Sequence, residues 1–296
     1  MRDWAGRILC ALIVSSMGVA VQAITITDDR GVQVSLAQPP QRIVSLFPAL
    51  TEAVCQLGQC HRLVGVDKDS NFPLQVGALP KVGGGLEPSL EAVMALQPDL
   101  VLVASSTRGA SRLQALGMPV AAMQPRTHAD IRRMLERLGV LLQVPPQTGA
   151  LRLWEKIERE LESAAQSVPA ALRGLRVYVE VDQGPYAASE SSFIGETLKR
   201  LGLVNVVPAN LGDYPKINPE FVVRSDPDLI VISHPQAAAI AARPGWSRMR
   251  AVRKQAICAL RPEQADLLMR AGPRLGEAAQ LMVQCLSDKQ AQGGQP

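Results

Sequence analysis

Residues 91–103 read EAVMALQPDLVLV, and residues 220–232 read EFVVRSDPDLIVI. Glutamate, valine, Pro-Asp-Leu and a run of branched apolar residues fall at the same offsets in both. A proline precedes each copy, Pro88 three residues before Glu91 and Pro219 one residue before Glu220. Proline suits a first helical turn, where its missing N–H would have no partner anyway. Each copy therefore reads as a short helix, a Pro-Asp break and a buried strand. A second matched pair lies upstream of each copy, TEAVCQLG at 51–58 and GETLKRLG at 195–202. Both read as helices closed by glycine, the residue that best tolerates a left-handed cap. Both follow strand-like runs, Arg42 to Leu46 and Arg176 to Val181. The order strand, loop, helix, Gly, helix, Pro-Asp, strand thus occurs twice. A separation of 129 residues between Glu91 and Glu220 is too long for a solenoid repeat and fits two similar α/β domains.

Between them, Leu151, Trp154, Ile157, Leu161 and Ala164 or Ala165 recur at helical spacing, with charged residues on the other face. The stretch Gln147 to Ser167, opened by Pro145-Pro146 and closed before Pro169, reads as one long helix. A helix holds two lobes at a nearly fixed separation, whereas a Gly/Ser-rich linker would not. The expected division is 1–23 leader, 24–144 first lobe, 145–168 linking helix, 169–288 second lobe and 289–296 disordered tail. In an open parallel sheet, ligands sit beyond the carboxyl ends of the strands, so two facing lobes create a site between them.

The N-terminus sets the compartment. Arg2 and Arg7 precede the apolar run Ile8 to Val21, which ends at Val21-Gln22-Ala23. This is the layout of a cleaved secretory signal, too short to span a bilayer. Most of the apolar stretch follows Cys10, which argues against a lipoprotein cut there. No later segment has the length and apolarity of a membrane helix, so a soluble exported protein is expected. Formal charge is +4 without a basic block, and aromatics make up 3%. Both disfavour nucleic acid, and so few aromatics also disfavour sugar platforms.

Four cysteines remain after the leader: Cys55, Cys60, Cys258 and Cys285. In an oxidising compartment an even number points to disulfides. Of the three pairings, Cys55–Cys60 and Cys258–Cys285 each join residues of one stretch and are favoured. Zinc is the alternative, but the spacing is not that of a CxxC site, and of the three histidines only His61 lies beside a cysteine pair. An exported hydrolase is the alternative of a different class. No G-x-S-x-G elbow, His-x-x-x-His or paired-carboxylate frame occurs. Gly83-Gly84-Gly85 leads into Leu-Glu-Pro rather than Gly-Lys-Ser/Thr, so it is read as close backbone approach at a cleft rather than a P-loop. No catalytic or metal residues and no resident cofactor are assigned.

The chain resembles the substrate-binding proteins of ABC importers for cobalamin, iron-siderophores and haem, the group with one helical backbone between two lobes. The resemblance rests on RIVSLFPALTE at 42–52, LVGVD at 63–67, LPKVGG at 79–84, Leu90-Glu91 and PDLV at 98–101. It runs through nearly the whole mature chain, is most specific in the first lobe, and leans towards the cobalamin binders. It implies a periplasmic monomer that delivers a small molecule to a permease dimer. It also implies one docking glutamate per lobe, matched by Glu91 and Glu220. Ligand contacts are expected at Phe47, Pro48, Asp69, Phe72, Gly84, Gly85 and Arg108 in the first lobe. In the second they are expected at Tyr186, Tyr214, His234, Trp246, Asp266 and Arg270. Leu267 and Asp69 stand where the cobalamin binders carry aromatics, and Tyr214 where they carry tryptophan. For a siderophore, Arg108, Arg243, Arg248 and Arg270 would supply positive charge. For haem, tyrosine or histidine would supply the iron ligand. Tyr178 is read as core and His128 as a surface residue at a helix start.

Overall fold

The computed structural model describes residues 23–182, 185–233 and 237–293. The signal-like segment up to residue 22 and the cleft candidate His234 lie outside the described residues. An antiparallel hairpin, β1 (Ile24–Thr27) and β2 (Gln33–Leu36), opens the fold. The first lobe continues with β3 (Ile43–Ser45), α1 (Pro48–Gln56), β4 (Leu63–Val66), α2 (Leu90–Ala95), β5 (Leu100–Val103), α3 (Ala110–Ala115), β6 (Val120–Ala122) and α4 (His128–Leu142). Its four strands are parallel, in the order β4-β3-β5-β6. The helix α5 (Ala150–Ser167) leads to the second lobe. There follow β7 (Arg176–Asp182), β8 (Tyr186–Ala187), α6 (Phe193–Arg200), β9 (Val204–Asn205), α7 (Pro219–Ser225) and β10 (Leu229–Ile232). The lobe closes with α8 (Ala237–Ala241), α9 (Arg250–Arg253), β11 (Ile257–Ala259), α10 (Pro262–Met269) and α11 (Leu275–Gly293). Its sheet runs β11-β10-β7, with parallel β9 and antiparallel β8 both pairing with β7.

The internal repeat extends down to single hydrogen bonds. Ser89 caps α2 and Asn218 caps α7, each accepting a backbone N–H of the first turn. Gln97 and Asp226, six residues after Glu91 and Glu220, are both left-handed, with φ of 45° and 41°. Asp99 then accepts the backbone N–H of Arg42, and Asp228 that of Arg176, each at 2.9 Å. Those arginines reach back to the helix ends, Arg42 to the Leu96 carbonyl and Arg176 to the Ser225 carbonyl. The Pro-Asp break is thus a staple that fixes helix, turn and two strands at once. Gly58 and Gly202 take positive φ after α1 and α6, as the caps require.

Both sheets are covered on two faces, which explains the unbroken apolar runs. Leu100 and Leu102 of β5 face one core with Leu229 and Val231 of β10, and that core is continuous through α5. Val101 and Val103 face a first-lobe core, and Ile230 and Ile232 a separate second-lobe core. The buried stripe of α5 is Ala150, Leu153, Ile157, Leu161 and Ala164. It differs from the expected one at its start. Leu153 takes the inward place and Leu151 is exposed, because Leu153 lies about 40° round the helix from Ile157 whereas Leu151 lies about 120° away. The helix packs chiefly on α11, where an added Cβ at Gly276 would sit 2.3 Å from that of Glu160. α11 runs on to Gly293, into the stretch expected to be a disordered tail.

Cys55 is bonded to Cys60 and Cys258 to Cys285, the favoured pairing. Among the described residues no helix is long and apolar enough to cross a membrane.

Candidate functional site

The carboxyl ends of the first-lobe strands open onto a cleft of about 670 Å³ between the lobes. Phe47 enters it after β3, Ser105 after β5, and Gln124, Pro125 and Arg126 after β6. The second lobe supplies Phe193 at the start of α6, Asp213 and Tyr214 ahead of α7, and Met269 and Ala271 around the end of α10. Asp29 at the hairpin tip and Asp130 and Arg133 of α4 complete the lining. The hairpin is fastened there: buried Asp28 accepts the Ala122 N–H, and Asp29 accepts the Gln124 N–H at 2.7 Å.

Charge in the cleft is matched within the protein. Arg126 meets Asp213 across the lobes, Arg133 meets Asp130, and Arg137 meets Asp29. Asp130 is further held as the capping partner of Thr127 at the start of α4. Its carboxyl lies below the usual range because these hydrogen bonds and Arg133 outweigh the opposing effect of burial, the largest single influence.

One flank of the cleft is closed by a denser network. Arg270, between α10 and α11, donates to buried Glu52 of α1 at 2.7 Å, to Asn71 at 2.8 Å and to the Asp69 carbonyl at 2.9 Å. Asp266 pairs with Arg270 and accepts from Asn71. The Arg274 guanidinium lies 3.8 Å from the centre of the Phe72 ring. Burial pushes the Glu52 carboxyl above its ordinary value, with the bond and charge of Arg270 opposing. The lobes meet again where His128 heads α4. Its backbone N–H donates to Glu196 at 2.6 Å, and Nε2 lies 2.9 Å from the Thr197 hydroxyl and 3.1 Å from the Phe193 carbonyl. Burial lowers the His128 pKa, and the Glu196 charge only partly offsets this.

The expected contacts divide accordingly. Phe47 and Tyr214 line the cleft, and Pro48 follows Phe47 as the first residue of α1. Asp69, Phe72, Asp266 and Arg270 meet in the flank network, where Arg270 is already engaged by protein groups. Gly85 makes the expected close approach, since a Cβ there would lie 2.6 Å from the Leu46 carbonyl, but Gly84 does not, since one there would be 3.7 Å from Lys68, an ordinary contact. Arg108 stands outside the cleft lining, exposed and paired with Glu87. Tyr186 is exposed on the edge strand β8, opposite Asp182. Trp246 has to be corrected. It is fully buried in the second-lobe core, edge-on to Tyr178 and under the Arg243 guanidinium, with no surface for a ligand. Arg243 is not available to a siderophore either, since it grips fully buried Glu180 through both terminal nitrogens at 2.6 and 2.8 Å. His128 is buried at the lobe junction rather than at the surface, whereas Tyr178 is core as read. Arg126, Asp213 and Phe193 were missed. The signal for Arg126 was its place in the loop after a short apolar strand, Val120 to Ala122.

Glu91 and Glu220 are exposed, each in the first turn of its helix. Both helix starts lie near the carboxyl ends of strands. The loop after β5 brings Gly109 against Pro88 and Leu90, and Ile217 bonds to Pro185 beyond β7. Among the described residues no group of three His, Cys, Asp or Glu could hold a metal ion.

A family model described as "Periplasmic binding protein" matches residues 43–264. An uncharacterized ABC transporter substrate-binding lipoprotein of Bacillus subtilis is 26% identical, over 96% of both chains. A vitamin B12-binding protein of Pectobacterium carotovorum is also 26% identical, over 81% of this chain and 86% of the relative. Among solved structures, a periplasmic haem-binding protein from Pseudomonas aeruginosa superposes with a TM-score of 0.72 at 26% identity, over 82% of this chain and 91% of the other.

Proposed function

Because the chain belongs to the periplasmic binding protein family, we propose that it carries a cobalamin-type corrinoid in its cleft and delivers it to an ABC importer. The observation that carries the choice of cargo is the charge balance of the cleft. Asp29, Asp130 and Asp213 are matched by Arg137, Arg133 and Arg126, so the cleft carries no surplus of positive charge for an anionic cargo. Haem with two carboxylates, or a polyanionic iron chelate, would bring several negative charges to a cleft whose own charges cancel, with only the outer edge of Arg126, among the described residues, open to receive one. A corrin rimmed with neutral amides faces no such cost. Phe47 and Tyr214 offer aromatic surface for its apolar faces, and Gln124 offers hydrogen bonds to amides. The vitamin B12-binding relative supports the same reading.

Delivery rests on Glu91 and Glu220. Both are exposed carboxylates held at matching helix starts, one per lobe, which suits docking on a permease dimer with basic partners. The reading assigns transport rather than turnover to this chain.

Equilibrium dialysis against cobalamin, haem and ferric siderophores tests the cargo. Saturable one-to-one cobalamin binding is expected. Saturable haem binding that is lost in Tyr214→Phe, with none by cobalamin, would overturn the corrinoid reading. The double variant Glu91→Ala/Glu220→Ala is expected to abolish uptake while cobalamin affinity persists; unchanged uptake would overturn the docking assignment.

A further inference from the structure

Arg126 differs from the other arginines around the cleft in how it is held. Its side chain pairs with Asp213 through Nε, and among the described residues Nη1 and Nη2 make no hydrogen bond. Arg133 spends Nη2 on Asp130, Arg137 spends Nη1 on Asp29, and Arg270 spends both terminal nitrogens. The two-pronged end of the Arg126 guanidinium is thus left over, on a side chain that keeps 66% of its surface exposed. That end is the part of arginine that matches a tetrahedral or planar oxyanion.

A second group in the same lining is also unspent. The Ser105 hydroxyl is buried after β5 and has no hydrogen-bond partner. A buried hydroxyl without a partner is costly unless something else satisfies it. We infer that the terminal edge of Arg126, together with the Ser105 hydroxyl, is an anion subsite for the single negatively charged group of the cargo. This rests on the corrinoid reading, under which that group is the phosphodiester of the nucleotide tail. One recruitable guanidinium, in a cleft whose other charges are paired, selects a ligand with one such group. Asp213 competes with the ligand for Arg126 and sets how tightly the subsite holds.

The test compares cobalamin with cobinamide, the same macrocycle without the nucleotide tail, by titration calorimetry. In Arg126→Gln the ratio of the two affinities is expected to fall about ten- to a hundredfold, the range for loss of a charge-assisted hydrogen bond. Arg126→Lys keeps the charge without the fork and falls between. Asp213→Asn is expected to move the ratio the opposite way, because it removes the competitor and leaves the guanidinium. Equal weakening of both ligands in Arg126→Gln, or an Asp213→Asn variant that reproduces it, would show a purely structural inter-lobe pair and overturn the assignment. Failure of the unaltered protein to bind either ligand would overturn the corrinoid reading and this subsite with it.

Discussion

The two lobes share a scaffold at one end of their strands and part company at the other. At the amino ends, Arg42 with Asp99 and Arg176 with Asp228 make the same staple, and Gln97 and Asp226 make the same left-handed turn. At the carboxyl ends, the first lobe sends Phe47, Ser105 and Arg126 into the cleft. The second lobe instead closes the end of β7 on itself. Glu180 is fully buried, gripped by Arg243, which stacks on Trp246. Its cleft residues come from elsewhere, from the start of α6, the segment before α7 and the end of α10. The difference teaches that the repeated half of the chain builds the frame, while the cleft lining is laid on it asymmetrically. A buried carboxylate–guanidinium pair is retained only where geometry compensates its desolvation, and the bidentate Glu180–Arg243 pair meets that condition.

The largest expected effect breaks the connection between the lobes. Arg270→Ala leaves Glu52, whose side chain is 2% exposed, with Arg274 only at 4.0 Å. Loss of one partner from a buried pair costs about 3–5 kcal/mol, read in urea unfolding. A loss below about 1 kcal/mol would show the flank network to be incidental. A smaller effect sharpens the likeness between the lobes. Asp99→Ala and Asp228→Ala are each expected to cost about 1–2 kcal/mol, and about equally, since Asp99 also accepts the Gln41 N–H at 2.7 Å and Asp228 also pairs with Arg250 at 2.8 Å. A large cost in one lobe and none in the other would break the duplication.

The smallest effect concerns pH. The folded-state pKa of His128 lies below its ordinary 6.5, so the unfolded chain binds more protons there. The contribution of His128 to stability is therefore full above about pH 6.5 and is lost as pH falls through the lower folded-state value. His128→Gln should flatten this part of the melting-temperature profile; an unchanged slope would place the titration elsewhere.

Much of the frame was legible because it is local. Proline at a helix start, glycine at its end, Pro-Asp before a strand and the 3.6-residue stripe of α5 act within a few residues of chain. The site was less legible because its partners are far apart. Arg126 and Asp213 are separated by 87 residues, and His128 and Glu196 by 68. Nothing in a one-dimensional pattern says which loops will meet. Trp246 shows the same limit. An aromatic between charged residues, Arg243 and Arg248, reads as a rim residue, yet Arg243 turns inward to Glu180 and seals the ring beneath it. Leu151 falls outside the buried stripe because six residues from Ile157 is about 120° round an α-helix, so a spacing that looks helical in the sequence ends on another face.

The central claim is that cargo lies between the lobes and is held by both. Backbone hydrogen exchange with and without cobalamin tests it directly. Protection is expected together at the loops carrying Phe47, Ser105 and Arg126 and at those carrying Phe193, Tyr214 and Met269, while the α5–α11 contact stays unchanged. Protection confined to one lobe, or none on adding cobalamin, would contradict it.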